Sequence, residues 1–412
     1  MTTIEQSYRA DRIAPRTRWQ LIVLAAGLFI VGTNAFVIAG VLPEIAAELH
    51  TTVASVSYTI TWYSIVVAVA SPLIASLLPR LSRTVLMASG LGIVAVGTLV
   101  TTIAPTLGVF ELGRVIAAVG GAALVPAATA AASGLVPDAL RGRALATVGA
   151  GFTLATALGA PVGTALAAAA DWRLPLGCLA ALAAVVAVAI AVTVRGVPTH
   201  AGLRFGQRFS VFADWRIGLM LIVQILLTAA FNIVYIFSSS VMRAATHGSG
   251  TVLAVLLLVY GLGGVVGNGL GGLLADRIGA LRTGVAAMTL QAVVFVLIAL
   301  FGSNLVAGGI LFAAWGVVAF AALVPLQHRV VALNPPLAGI SLSWLSTAMY
   351  VGIACAPLLG AVALKAGPTA VLLTASVLTV AGAVVMLVTL AGPRAGAPGS
   401  VTRGAAEVGG SV

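Results

Sequence analysis

Gly271-Gly272-Leu273-Leu274-Ala275-Asp276-Arg277-Ile278-Gly279-Ala280-Leu281-Arg282 is a short charged break between two long apolar runs. Thr251–Leu274 leads into it and Thr283–Phe301 leads out. Each run suits a bilayer crossing, which takes about 20 residues at 1.5 Å rise. Within the break, Gly272 suits tight helix contact and Gly279 suits a turn. Asp276 can accept hydrogen bonds at a helix end and pair with Arg277 or Arg282.

The same alternation repeats outward in both directions. Apolar runs cover Leu21–Leu42, Val53–Leu78, Thr84–Ala104, Leu107–Val136, Ala144–Ala169 and Leu174–Val194. After a break come Ile217–Ser240, the two runs above, Leu305–Leu326, Leu337–Ala363 and Pro368–Leu390. Twelve spans are therefore expected, an all-α membrane protein. The chain is 61% hydrophobic and only 8% charged, against about a quarter charged in soluble domains. The first run is too long for a signal-peptide core and carries Thr33 and Asn34 midway, so it reads as a span.

Basic residues sort by side. With the N-terminus inside, the outer loops hold only Arg173, Arg243 and Lys365. Arg114 falls within a span, and every other Lys or Arg lies on the inner side. That bias orients the helices and puts both termini in the cytoplasm. The net charge of +11 then reads as orientation plus attraction to anionic membrane lipid, not as a nucleic-acid surface, because it is scattered over many loops. Arg-for-Lys usage with abundant Ala, Gly and Val points to a GC-rich bacterium, hence a bacterial plasma (inner) membrane.

Several chemistries are disfavoured. Lys365 is followed by Ala366, so no phosphate-binding G-x-x-x-x-G-K-[ST] loop is present. His50, His200, His247 and His328 show no ligand spacing, so no metal or other cofactor is expected. Cys178 and Cys355 sit in apolar runs as small core residues. No catalytic cluster supports an enzyme.

The chain also repeats itself. Arg80 pairs with Arg277, and Leu140-Arg141-Gly142 with Leu337-Ala338-Gly339, both at an offset of 197 residues. Ala160-Pro161 pairs with Ala356-Pro357 at 196. Two parallel six-span halves are expected, residues 19–194 and 216–390, with a site at their interface. A tail of residues 1–18 precedes them, a linker of 195–215 joins them, and a Gly- and Ala-rich tail of 391–412 follows. In the linker, Phe205, Phe209, Phe212 and Trp215 recur at helical spacing, which suits either an amphipathic helix on the inner leaflet or a loop extending span 7.

The Gly271–Arg282 segment resembles the G-x-x-x-D-R-x-G signature of the major facilitator superfamily at its second-half position. The first-half equivalent, Ala75 through Arg83, has Pro79 at the Asp position and Ser82 at the second Gly position. Gly32 through Pro43 is similar to the first span of bacterial twelve-span drug:proton antiporters and sugar-efflux permeases. Leu158 through Thr164 resembles their span 5 antiporter motif, carried here by Gly159, Pro161 and Gly163. Arg114 followed by Gly120 and Gly121 resembles their span 4 motif. Relatives in that branch carry Glu in span 1 where this chain has Ala35, which argues against a cation-selective pump. The resemblance implies a secondary transporter working by alternating access on a small-molecule substrate.

Polar residues inside spans mark candidate sites. Gln224, Thr228, Asn232 and Tyr235 form one stripe on span 7. It reads as a cavity wall or as interhelical hydrogen bonding, with Asn232 and Tyr235 the cavity candidates. Span 11 offers Trp344, Thr347 and Tyr350, and span 1 offers Asn34. Asn268 and Gln291 are further cavity candidates and Gln327, at the inner end of span 10, a gating candidate, while Thr61, Trp62 and Tyr63 read as an outer aromatic belt. Glu111 lies three residues before Arg114 on the same helical face. It is the only carboxylate placed in the apolar part of a span. Either it faces outer water near a helix N-terminus, or Arg114 holds it ionised until it takes a proton. The reading is a monomeric, proton-coupled exporter of a drug-like, nucleoside or sugar-like compound. An uncoupled facilitator or importer, and more remotely a membrane-embedded enzyme or sensor, are the alternatives.

Overall fold

The computed structural model describes residues 13–78, 81–197 and 205–389. The tail of 391–412, Pro79, Arg80 and Arg204 lie outside the described residues. Twelve helices are long and apolar enough to cross a membrane. They are α1 (Pro15–Glu48), α2 (Val53–Leu77), α3 (Arg83–Thr102), α4 (Leu107–Gly134), α5 (Arg141–Ala169) and α6 (Arg173–Thr193). Then follow α7 (Trp215–Ile236), α8 (Gly250–Ile278), α9 (Ala280–Phe301), α10 (Leu305–Leu333), α11 (Ala338–Leu364) and α12 (Pro368–Val388). The described residues contain no strand.

Local chemistry sets many of the ends. Thr52, Ser82, Thr106, Asp214, Ser249 and Asn304 each accept a backbone N–H from the first turn of the following helix. Gly279 closes α8 at φ +91° and Gly367 precedes α12 at φ +106°, conformations that side chains resist. Several helices outrun their apolar stretches. α1 passes through a 3₁₀ turn at Val37–Val41 and continues as α-helix past Leu42 to Glu48, and α10 continues past Leu326 to Leu333. Hydropathy stops where charge begins, but backbone hydrogen bonding does not.

The halves repeat in their packing. α1 pairs with α5 and α6, α2 with α4, and α3 with α4 and α6. The second half shows the same pairings six helices on: α7 with α11 and α12, α8 with α10, and α9 with α10 and α12. The Leu140/Leu337 repeat falls where a 3₁₀ turn leads into α5 and into α11. Across the halves, α2 meets α11 and α5 meets α8, a pseudo-twofold pair of crossings. Residues facing outward are apolar, as in Val185, Leu300 and Val306, because exposed polar groups are costly in hydrocarbon.

Inside α5, residues Ala155–Gly159 form a π turn ahead of Pro161. A proline has no N–H to give and its ring collides with the carbonyl four residues back, so the ladder changes register here. In the linker, Phe205–Ala213 is a 3₁₀ helix. Its Phe209 and Phe212 rings lie 5.3 and 5.0 Å from the ring of Trp344 on α11, so this aromatic face is turned partly to protein rather than to lipid.

Candidate functional site

The two halves meet at the α2–α11 and α5–α8 crossings, which together form a seal between them. The seal lies away from the face that carries Arg141, Arg277 and Arg282, hereafter the basic face. Thr61 on α2 donates to the Ala354 carbonyl on α11 at 2.8 Å. On the other crossing, α8 comes so near α5 that a Cβ on Gly261 would stand 2.3 Å from the Ala157 Cα. Nearer the N-terminal end of α8, a Cβ on Gly250 would stand 3.0 Å from Ala168 and 3.9 Å from the Glu44 carboxylate.

Below the seal lies a cavity of about 540 Å³ between the halves. Phe36 roofs it, edge-on to Phe152 at 5.9 Å in its own half and to Tyr235 at 5.7 Å in the other. Tyr235 stacks toward Tyr260 at 5.5 Å, and Tyr260 toward Trp315 at 4.2 Å. The wall runs from this roof to Ala146, Asn268 and Gln327, within about two turns of the basic ends. No acidic or basic side chain is among the residues that line it.

The span 7 stripe is mostly spent on packing. Gln224 donates to the Thr228 hydroxyl at 2.7 Å, and Asn232 to the Thr228 carbonyl at 2.9 Å. α11 closes over it at Gly352, where a Cβ would stand 2.8 Å from the Thr228 Cβ. Of the stripe, Tyr235 reaches the cavity and Asn232 does not, although the Asn232 Oδ1 has no hydrogen-bond partner. On α11 the wall is Met349 and Ile353. Tyr350 is buried one position round the helix, Thr347 donates back to the Ser343 carbonyl, and Trp344 meets the linker. Gln291 is buried away from the cavity, beside Thr379.

Asn34 is a structural partner of Arg114 rather than a wall residue. Arg114 Nη1 donates to the Asn34 carbonyl at 2.6 Å and to Asn34 Oδ1 at 2.7 Å. Asn34 Nδ2 donates to Thr98 at 2.6 Å. The guanidinium lies 4.4 Å over the Tyr63 ring, a cation–π contact. Tyr63 is 1% exposed and so is no belt residue, whereas its neighbour Trp62 is 51% exposed. Adjacent helical positions point about 100° apart, so Thr61, Trp62 and Tyr63 cannot share one face. Glu111 is only partly buried, and among the described residues no ion pair joins it to Arg114. Arg114 Nε and Nη2 have no hydrogen-bond partner.

The antiporter-motif glycines form the α1–α5 seam. A Cβ on Gly159 would stand 2.0 Å from the Thr33 hydroxyl, and one on Gly163 2.4 Å from Val37. Pro161 ends the π turn described above. At the Gly271–Arg282 segment the close contact falls on Gly271, whose Cβ would stand 2.7 Å from the Ala321 carbonyl, while Gly272 has room. Asp276 neighbours His328 of α10 at 3.9 Å, and among the described residues it pairs with neither Arg277 nor Arg282. Gly279 makes the turn into α9.

Comparison with known proteins agrees with this architecture. The model of the Major Facilitator Superfamily matches residues 24–221 and 219–409. The chain is 27% identical over 344 residues to the uncharacterized MFS-type transporter YbcL of Bacillus subtilis, covering 84% of this chain and 88% of that one. It is 27% identical over 354 residues to the inner membrane transport protein YdhP of Escherichia coli K12, covering 85% and 90%. A chloramphenicol efflux pump of Mycobacterium tuberculosis is 29% identical over 254 residues, 61% of this chain and 62% of that one. Among solved structures, a mutant of the nucleoside transporter NupG superposes with a TM-score of 0.73 at 15% identity, covering 90% of this chain and 99% of that one. A bacterial homolog of the human lysosomal transporter Spinster, in an inward-facing and occupied conformation, gives 0.72 at 14% identity, covering 92% and 96%. With the family model matched across both halves, the chain belongs to the major facilitator superfamily of transporters.

Proposed function

We propose that this transporter exports a neutral or anionic amphipathic compound, such as an antibiotic, nucleoside or sugar, from a bacterial cytoplasm by alternating access. The observation that carries this reading is the cavity lining: six aromatic rings, with amides and hydroxyls from Asn268, Gln327, Thr153 and Thr156, and no charged side chain. Such a wall takes apolar surface and orients it through a few polar groups. The Tyr235 ring joins that wall, while its hydroxyl is buried without a hydrogen-bond partner. Basic residues gather on the face toward which the cavity opens, so the conformation described is inward-facing and both termini are cytoplasmic. The chloramphenicol efflux relative supports the direction and the drug-like class.

Proton coupling is assigned to Glu111, with Arg114 one turn deeper in α4. In this conformation the two are not paired, so the exchange of partners belongs to another state of the cycle. The lack of a carboxylate in the cavity favours a second reading, an uncoupled facilitator. Cells overexpressing the protein, compared with vector controls, should gain tolerance to chloramphenicol-like compounds or exclude nucleosides or sugars. Protection confined to cationic dyes would overturn the substrate class. Counterflow in vesicles without a proton gradient separates the two readings: full equilibration against no accumulation supports the facilitator. Reporter fusions after Arg83 and Arg208 should read cytoplasm and one near His247 exterior; the opposite pattern reverses the direction of transport.

A further inference from the structure

On the basic face, a second cleft of about 220 Å³ opens between the first turns of α1 and the end of α6. Arg16, Trp19, Gln20, Val192, Thr193 and Arg195 line it. Gln20 Nε2 donates to the Thr193 carbonyl at 2.9 Å and the Arg195 carbonyl at 3.4 Å. Thr84 donates to the Val194 carbonyl at 2.8 Å. These bonds occupy the carbonyls at the end of α6, which otherwise repel anions, and fix Arg195 beside α1. Among the described residues, the charged groups lining the cleft are both cations, Arg16 and Arg195.

Two features tie this cleft to lipid. Trp19 is 56% exposed at its rim, at the basic ends of the helices where indole rings sit at headgroup level. Toward the membrane centre, Val192, Val188 and Val185 are 59%, 63% and 65% exposed along one face of α6, with Ile22 exposed on α1. Cations at headgroup depth therefore run directly into an apolar ridge. Guanidinium groups match phosphate oxygens bidentately, which suits a phosphodiester better than a hydrated ammonium would.

We propose that this cleft binds the phosphodiester headgroup of an anionic phospholipid, with an acyl chain lying along the α6 ridge. The site is independent of the transport cavity and of its substrate.

The test is native mass spectrometry of the full chain in detergent, with phosphatidylglycerol and phosphatidylcholine offered in equal amounts. Wild type should retain phosphatidylglycerol in excess. Arg16→Gln with Arg195→Gln should lower that preference roughly 30-fold, about fivefold for each interfacial cation. The single variants, at about fivefold each, carry the comparison if the double variant does not fold. Arg16→Lys with Arg195→Lys should keep part of the preference, and Arg143→Gln, elsewhere on the basic face, should keep all of it. Equal retention of both lipids by wild type would overturn the proposal. So would an equal loss in Arg143→Gln, which would mean diffuse attraction. Complete displacement of the lipid by millimolar inorganic phosphate would mean a small-anion site instead.

Discussion

Arg114 grips both the backbone carbonyl and the side-chain Oδ1 of Asn34 with one nitrogen, Nη1, while its plane covers Tyr63. The contact joins α4 to α1 and α2 at the level of the seal. A buried guanidinium requires acceptors, because desolvation otherwise costs several kcal/mol. Here those acceptors are an amide and a carbonyl rather than a carboxylate.

Asn34→Ala should therefore lower the melting temperature of the purified protein, equivalent to about 1.5–3 kcal/mol for a hydrogen bond to a charged group. Arg114→Lys keeps the charge and a multiple donor, but its shorter reach and lack of a planar group remove the stack over the Tyr63 ring. It should slow transport at normal membrane abundance. Unchanged melting in the first variant and unchanged transport in the second would show the network to be incidental.

The seal between α5 and α8 should be sensitive to one methyl group. Gly261→Ala brings a Cβ to 2.3 Å from the Ala157 Cα, backbone that cannot swing aside. Overpacking of about 1–3 kcal/mol would disfavour the sealed state roughly 5–150-fold. The check is labelling of a cysteine at Thr153, with Cys178 and Cys355 replaced by Ser, using impermeant reagents. Labelling from the outside should rise and transport should fall. Identical labelling in both proteins contradicts this.

Glu111 tests coupling. Glu111→Gln should abolish accumulation driven by an imposed pH gradient in proteoliposomes while leaving substrate exchange intact. Arg114→Ala should damage both. Full gradient-driven transport by Glu111→Gln moves the assignment to the facilitator reading.

Asp276 and His328 connect the basic ends of α8 and α10. Asp276→Asn preserves volume and removes the charge, so abundance should stay near normal while the transport rate drops through a shifted balance of states. His328→Ala should reproduce part of that drop if the pair matters, since both side chains are largely exposed and the direct attraction is weak. Equal rates in wild type and both variants would leave the segment with only the turn at Gly279 and the close contact at Gly271 to explain it.

The spans and the repeat were legible in the sequence because a bilayer imposes a length and a polarity that few other constraints mimic. The cavity was legible only in part. Its polar members Tyr235, Asn268 and Gln327 stand out against an apolar background. Phe36, Phe152, Phe231 and Phe320 do not, since a ring facing a cavity and a ring facing lipid are the same letter in the same kind of run. Trp344 and Tyr350 have the right chemistry on the right helix but point a fraction of a turn away, toward the linker and the core. Gly272 misled for a similar reason: the helix phase puts Gly271, its neighbour, against α10. Asn34 stands out for its polarity, which serves a cation three spans on in the sequence but in direct contact in the fold.

The uncharged cavity and the enclosed Arg114 have a joint kinetic consequence. A substrate's net charge is felt before its shape is. At a separation on the order of 10 Å and an effective dielectric near 20, one unit charge shifts an incoming ion by ~1.7 kcal/mol, upward for a cation and downward for an anion. Neutral compounds of equal size pass without that bias. If the proposed substrate class holds, selectivity of this kind would be written into a potential rather than a contact, so mutations of the cavity wall would reshape which molecules fit without changing which sign of charge is favoured.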